Sequence, residues 1–202
     1  PAPEGFTLEK TGLDYKLTAP GLSEPLSLSQ QADGLWRWDR GTPTVSLAEP
    51  GSRADEGEDL AVMGGRRIGR VEVLEHSALR VRLRNVWYFP TRAGEWTSMA
   101  VRRIAWEHTF YADGRWVTDV EVNNAGGRAI GSVRLSSPVA VAWSGGGVSP
   151  SLTVEKFRGP VGRWSCMGVL GPSNDVKRLR RYLAPGRVEA SLARDAFAEG
   201  DR

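Results

Sequence analysis

Glu107, His108, Tyr111, Asp119 and Glu121 crowd into one short stretch of this chain. These are the side-chain types that move protons, and a carboxylate or imidazole does so near neutral pH when a neighbour or burial shifts its affinity. Whether they meet depends on how the stretch pairs. From Ile104 to Asn124 it reads IAWEHTFY, ADG, RWVTDVEVNN, two alternating runs around a three-residue turn with Gly114 in the left-handed position. That turn pairs Tyr111 with Arg115, Phe110 with Trp116, His108 with Thr118, Glu107 with Asp119 and Trp106 with Val120. One face then holds Ile104, Trp106, His108, Phe110, Trp116, Thr118, Val120 and Val122. The other holds Arg103, Glu107, Thr109, Tyr111, Val117, Asp119, Glu121 and Asn123. A two-residue Asp-Gly turn would slip one strand and mix the carboxylates with Trp106 and Phe110, which the hydrophobic pattern disfavours.

Opposing Glu107 and Asp119 destabilises a sheet unless something compensates. Arg103, or an arginine from residues 80 to 84 if those strands adjoin, would make the group a salt-bridged solvent face. The sharper alternative makes one carboxylate an acid or base, its proton affinity raised by the other. A hard cation would call for loop carbonyls as well, and no metal site is expected. His108, between Trp106 and Phe110, reads first as a hydrogen-bonded core residue. It reads as a proton carrier only if that face is the wall of a cleft, with Trp106 and Trp116 as stacking platforms.

A second hairpin supplies cations. With His76, Ser77 and Ala78 as its loop, Glu75 opposes Leu79, Val73 opposes Val81 and Val71 opposes Leu83. The opposite face carries Arg70, Glu72, Leu74, Arg80, Arg82 and Arg84, with Glu72 across from Arg82. Arg80, Arg82 and Arg84 form a ladder suited to neutralising carboxylates on a ligand, because the guanidinium fork matches a carboxylate in pairs. Trp87, Tyr88 and Trp96 flank the segment FPTRAGE and are candidates for an exposed aromatic platform.

Other chemistries find no support. No metal-ligand spacing, nucleophile elbow, phosphate loop or cofactor motif occurs. Cys166, the one cysteine, reads as a small buried residue without local support for nucleophilic use. The net charge is +3, and only four of the 27 basic residues are lysine, but they are scattered among acids, so nucleic acid is not an expected partner. No apolar run approaches the length of a membrane span, and no signal-peptide pattern is read in these residues. The sequence begins PAPEG without Met, as a cleaved exported protein or an excised domain would begin, so a periplasmic or extracellular location is expected, with the cytoplasm as the alternative.

The elements that position these residues are strands nearly throughout. A chain of 202 residues is long enough to bury about 70% of its unfolded-chain surface. Its 24 Gly and 12 Pro punctuate short alternating runs. The expected fold is all-β, one antiparallel β-sandwich over residues 1–202, supersandwich-like or jelly-roll-like. Separate strands are expected over Ile130 to Leu135 and Val139 to Trp143, and late ones at Trp164 to Leu170 and Val188 to Leu192. Ser173 to Leu183 reads as either helix or strand, and Glu49 to Glu58 as a surface loop.

The run WEHTFYADGRWVTDVEVNNAGGRAIGSVRLSSPVAVAWSGG, followed by YLAPGRVEASLARDAFAEGD, resembles the large β-sandwich of galactose-mutarotase-like domains, including those of polysaccharide lyases. The features shared are an aromatic strand before a D-G-R turn, an N-N-A-G-G turn after the next strand, and a late P-G turn before a final strand. The resemblance implies a sugar-binding concave sheet face and a histidine acting with a carboxylate. Here only His108 and the group Glu107, Asp119 and Glu121 match those roles, yet alternation puts His108 on the opposite face. It implies a poly- or oligosaccharide partner, and the arginines make that partner anionic, a uronate-containing polysaccharide. Two readings follow. In one, the protein is lyase-like, with His108, Tyr111, Glu107 and Asp119 as the catalytic candidates and Arg80, Arg82, Arg84, Trp87, Tyr88 and Trp96 contacting substrate. In the other, it is a non-catalytic carbohydrate-binding or structural accessory domain of a larger protein.

Overall fold

The structure, a computed structural model, describes residues 5–19, 22, 24–30, 36–38, 42–48, 58–59, 68–90, 101–112, 114–123, 130–144, 147–155 and 161–169. Among them there is no helix, and the chain folds as an all-β protein with two antiparallel sheets, as its alternation and turn spacing lead one to expect.

The smaller sheet is a meander of four strands in chain order, β1 (Thr7–Thr11), β2 (Asp14–Thr18), β3 (Leu26–Gln30) and β4 (Trp36–Trp38). The larger is built from β5 (Thr44–Ala48), β6 (Glu58–Asp59), β7 (Ile68–His76), β8 (Arg80–Pro90), β9 (Val101–Tyr111), β10 (Arg115–Asn123), β11 (Ser132–Trp143), β12 (Val148–Glu155) and β13 (Val161–Val169). Its order is β6-β5-β11-β13-β10-β9-β8-β7, with β12 added through β11. Chain neighbours β7 to β10 thus lie side by side, while β13 reaches β10 from far along the sequence.

The two sheets share one apolar core. Tyr15, Leu17, Leu26, Leu28 and Trp38 from the small sheet meet Val81, Leu83, Ile104, Trp106, Phe110, Trp116, Val120 and Val122 from the large one. Trp38 is the keystone, packed edge-on against Phe110 at 5.2 Å and Trp116 at 4.9 Å between ring centroids. Edge-to-face pairs of this kind contribute about 0.5–1.5 kcal/mol beyond the area they bury. Trp116 also dictates Gly168, its cross-strand partner. The indole lies across the glycine, and a Cβ there would overlap its six-membered ring.

The β9–β10 hairpin has the register that its turn requires. Phe110 pairs with Trp116, His108 with Thr118, Glu107 with Asp119 and Trp106 with Val120. Gly114 closes the turn at φ 84°, donating its N–H to the Tyr111 carbonyl at 2.9 Å.

The β7–β8 register departs from expectation. Strand β7 runs on through His76, and the reversal is made by Ser77, whose N–H bonds the Arg80 carbonyl at 3.0 Å. A bulge at Leu74 then shifts the pairs, so Val73 faces Leu83, Glu72 faces Arg84 and Glu75 faces Arg82. The extra residue moves Glu75 off the apolar face and onto that of the arginines. A second irregularity merges the two strands expected between Ile130 and Trp143 into β11, whose pairing with β12 shifts between Ser136 and Val141. Pro138, which has no N–H to give a ladder, falls in that gap. Ser173 to Leu183 and Val188 to Leu192, and all but Glu58 of the expected loop from Glu49, lie outside the described residues.

Candidate functional site

Alternation sends the residues of the core-facing set inward and leaves their neighbours on the outer face of the large sheet. There β8 lies beside β9, so Arg80 faces Tyr111, Arg82 faces Thr109, Arg84 faces Glu107 and Tyr88 faces Arg103. On the far side of β10, Ser165 faces Asp119 and Arg163 faces Glu121. Candidates from two hairpins and a distant strand thus share one continuous surface.

The opposed carboxylates are compensated differently. Glu107 receives Arg82 through two N–H groups, with Arg84 at 3.4 Å from its other oxygen. Asp119 accepts a hydrogen bond from the Ser165 hydroxyl. Glu121 is held between Arg103 and Arg163, the latter at 2.9 Å. At the end of the ladder Arg80 donates its Nε–H to both oxygens of Glu75 at 2.9 Å. This bond holds the Glu75 carboxyl below its ordinary range, with partial burial pulling the other way, and it raises Arg80 in turn. The guanidinium of Arg115 caps the Tyr111 ring at 5.0 Å from its centroid. The face is therefore a lattice of alternating charges in which Arg80, Arg82, Arg84, Arg103 and Arg163 are each oriented by a carboxylate, the salt-bridged arrangement that opposition of Glu107 and Asp119 demands.

His108 lies elsewhere. It is 1% exposed, inside the sandwich between Trp38 and Phe110, and its Nδ1 shares a 2.8 Å hydrogen bond with Thr118 Oγ1. Its Nε2 is buried and finds no partner among the described residues, and the same holds for the indole Nε1 of Trp38 beside it. Desolvation holds the imidazole down at about 3, so it is neutral near pH 7. A neutral ring sealed under the small sheet cannot touch a ligand on the outer face, which corrects its place among the catalytic candidates.

Trp87 also belongs to the core. It is 1% exposed, on the Leu83 side of β8, and its indole N–H donates to Asn85 Oδ1 at 2.7 Å. Strict alternation from Arg80 puts odd-numbered residues of β8 inward, a signal that sufficed to find this. Tyr88, 38% exposed, does stand on the outer face. Trp96 lies outside the described residues. Cys166 is fully buried, and burial, aided by the nearby Asp119 charge, pushes its thiol well above the ordinary range, leaving an inert core residue. His76, at the tip of β7, is exposed and bonds the Phe6 carbonyl at 3.2 Å.

Sequence reasoning did not reach Ser165, Arg163 or Glu75. The first two come from β13, a non-local neighbour, and the third is turned by the bulge. Among the described residues no cluster of three or more His, Cys, Asp or Glu could hold a metal ion, and no helix is long and apolar enough to cross a membrane. Compared with known protein families, curated proteins and solved structures, the chain matches none.

Proposed function

We propose that this protein binds an acidic, uronate-containing polysaccharide along the outer face of the large sheet, as a non-catalytic carbohydrate-binding module. The observation that carries this reading is the row Arg80, Arg82 and Arg84, with Tyr111 across from one end and Tyr88 four residues beyond the other on β8. Alternate residues of a strand stand about 7 Å apart. The row is therefore a line of planar cations with an aromatic ring at one end and a second, Tyr88, past Val86 along the same strand, suited to a chain with recurring carboxylates and sugar rings. Each guanidinium carries five donors in a fixed fork, so a carboxylate partner in the sheet orients it while leaving capacity for a ligand. The resemblance to galactose-mutarotase-like domains agrees with this partner class. Binding is favoured over turnover because the imidazole is sealed in the core and Glu107 and Glu121 are engaged by arginines.

The lyase-like alternative rests on Tyr111, a proton-transfer group on this face flanked by Arg80 and Arg115. It requires release of unsaturated uronate products, which a binding module does not make.

Polygalacturonate retention tests the reading. Wild-type protein should be retained at low salt more strongly than by a neutral glycan. Replacing Arg84 and Arg163 with Gln should weaken retention while preserving the fold, since their side chains are 46% and 67% exposed. Equal retention on neutral and acidic polymers would refute it.

A further inference from the structure

A second site of different construction lies where the two sheets meet. An open cleft of about 540 Å³ is walled by Arg37 and Trp38 of β4, Thr42, Thr44 of β5, and Ser136 and Ser137 of β11. That volume falls in the range of small-molecule sites. We propose that this cleft binds a small carboxylated sugar, such as a free hexuronate, independently of the outer face.

The donors set the ligand's chemistry. Thr42 Oγ1 accepts the Trp38 backbone N–H at 2.9 Å, and Ser137 Oγ accepts the Val139 N–H at 3.3 Å. Each hydroxyl has spent an acceptor position and keeps its proton for another group. Both residues are more than nine-tenths buried, at 8% and 7% exposure, so these donors are fixed in the wall. Arg37 adds a guanidinium, placed across from Ser29 in the β3–β4 pair. Thr44 does the reverse: its hydroxyl donates to the Ser136 carbonyl at 3.3 Å, so its oxygen is left to accept. Two fixed hydroxyl donors and a planar cation call for an anionic, acceptor-rich ligand, and the Thr44 oxygen suits a ligand that also carries a hydroxyl.

Rigidity makes the site selective. Trp38 is 3% exposed and locked by Phe110 and Trp116, so the apolar part of the wall does not rearrange, and the polar groups come from β4, the start of β5 with the residue Thr42 before it, and the irregularity in the middle of β11. A few convergent polar groups around a fixed aromatic are the usual composition of a site for a hydroxylated ring.

The test is a titration of the intact chain with sodium D-galacturonate, read from the Trp38 indole and Thr42 amide NMR signals, with D-galactose as the neutral control. Galacturonate should shift both signals saturably, and galactose at the same concentration should bind at least about tenfold more weakly. Arg37→Gln should weaken galacturonate by about tenfold to a hundredfold, the range for a hydrogen bond to a charged group. Arg37→Lys should recover part of the loss by restoring charge without the fork. Lys10→Gln, which removes one charge at the far edge of the small sheet, should change nothing. The proposal is overturned if wild-type signals do not move, if galactose binds as well as galacturonate, or if Arg37→Gln and Lys10→Gln weaken binding equally. Should Arg37→Gln not fold, Arg37→Lys decides: affinity equal to wild type would overturn the role given to the guanidinium fork.

Discussion

Glu107 and Asp119 stand directly opposite each other across β9 and β10, one held by guanidinium groups and the other by the Ser165 hydroxyl. Like charges in that position are tolerable only because β8 and β13 bring compensating groups from either side. The outer face is thus a consequence of strand order as much as of sequence.

That dependence can be measured. Arg82→Gln should destabilise the fold, and Glu107→Gln should cost less in the Arg82→Gln background than in wild type. A double-mutant cycle by urea denaturation should return a coupling of about 0.5–1 kcal/mol for this partly exposed pair. Additivity of the two substitutions would mean that Arg82 does not compensate Glu107.

His108 makes an acid-sensitive core. Its folded-state affinity, at about 3, lies below the ordinary 6.5, so the unfolded chain binds a proton that the native protein refuses. Stability is fully present above about pH 6.5 and declines as pH falls toward 3, with a slope approaching about 1.4 kcal/mol per unit. His108→Gln should lower stability at pH 7.5 by roughly 1–3 kcal/mol through the lost Thr118 bond, yet flatten the decline between pH 6 and 4. An unchanged pH profile in the variant would place the titrating group elsewhere.

Glu75 gives a smaller effect in a lower window. Its folded affinity is reduced by Arg80, so the pair contributes above the ordinary carboxylate value of 4.5 and is lost as pH falls below it. Glu75→Gln should cost under about 1 kcal/mol at pH 7, because both partners are about a third exposed. The difference from wild type should shrink as the pH falls below that ordinary value. A cost above 2 kcal/mol at neutral pH would show that the bulge at Leu74 itself depends on Glu75.

Gly168→Ala tests the core from its backbone. With Trp116 lying over the glycine, an added methyl should cost about 1–3 kcal/mol, the usual penalty of overpacking. Trp116→Leu in the Gly168→Ala background should recover part of this relative to their separate effects. A neutral Gly168→Ala would contradict the close approach.

The β9–β10 hairpin was legible because three signals agree there: the Ala-Asp-Gly turn, period-two alternation, and the separation of charged from aromatic residues. The β7–β8 hairpin was half legible. Its arginines alternate cleanly, but a bulge at Leu74 leaves no mark that distinguishes it from a longer loop, so alternation alone puts Glu75 on the apolar face while the bulge turns it to the arginines. Trp87 sits beside a polar segment that suggests an exposed ring, although counting from Arg80 places it inward, where it is buried. Trp38 against His108, and Arg163 and Ser165 beside β10, join residues far apart in sequence, and alternation within a strand carries no information about which strand comes next.

The outer arginine row as a polyuronate-binding surface is put to its sharpest test by titration calorimetry of polygalacturonate against wild-type protein and the Arg80→Gln, Arg82→Gln, Arg84→Gln triple variant. Wild type should bind at low salt and weaken steeply as salt rises, since the attraction is between screened surface charges. The triple variant, shown to be folded by its near-ultraviolet spectrum, should bind about tenfold or more weakly with a flattened salt dependence. Binding by the folded variant as tight and as salt-sensitive as wild type, or no binding by wild type at low salt, would contradict the account.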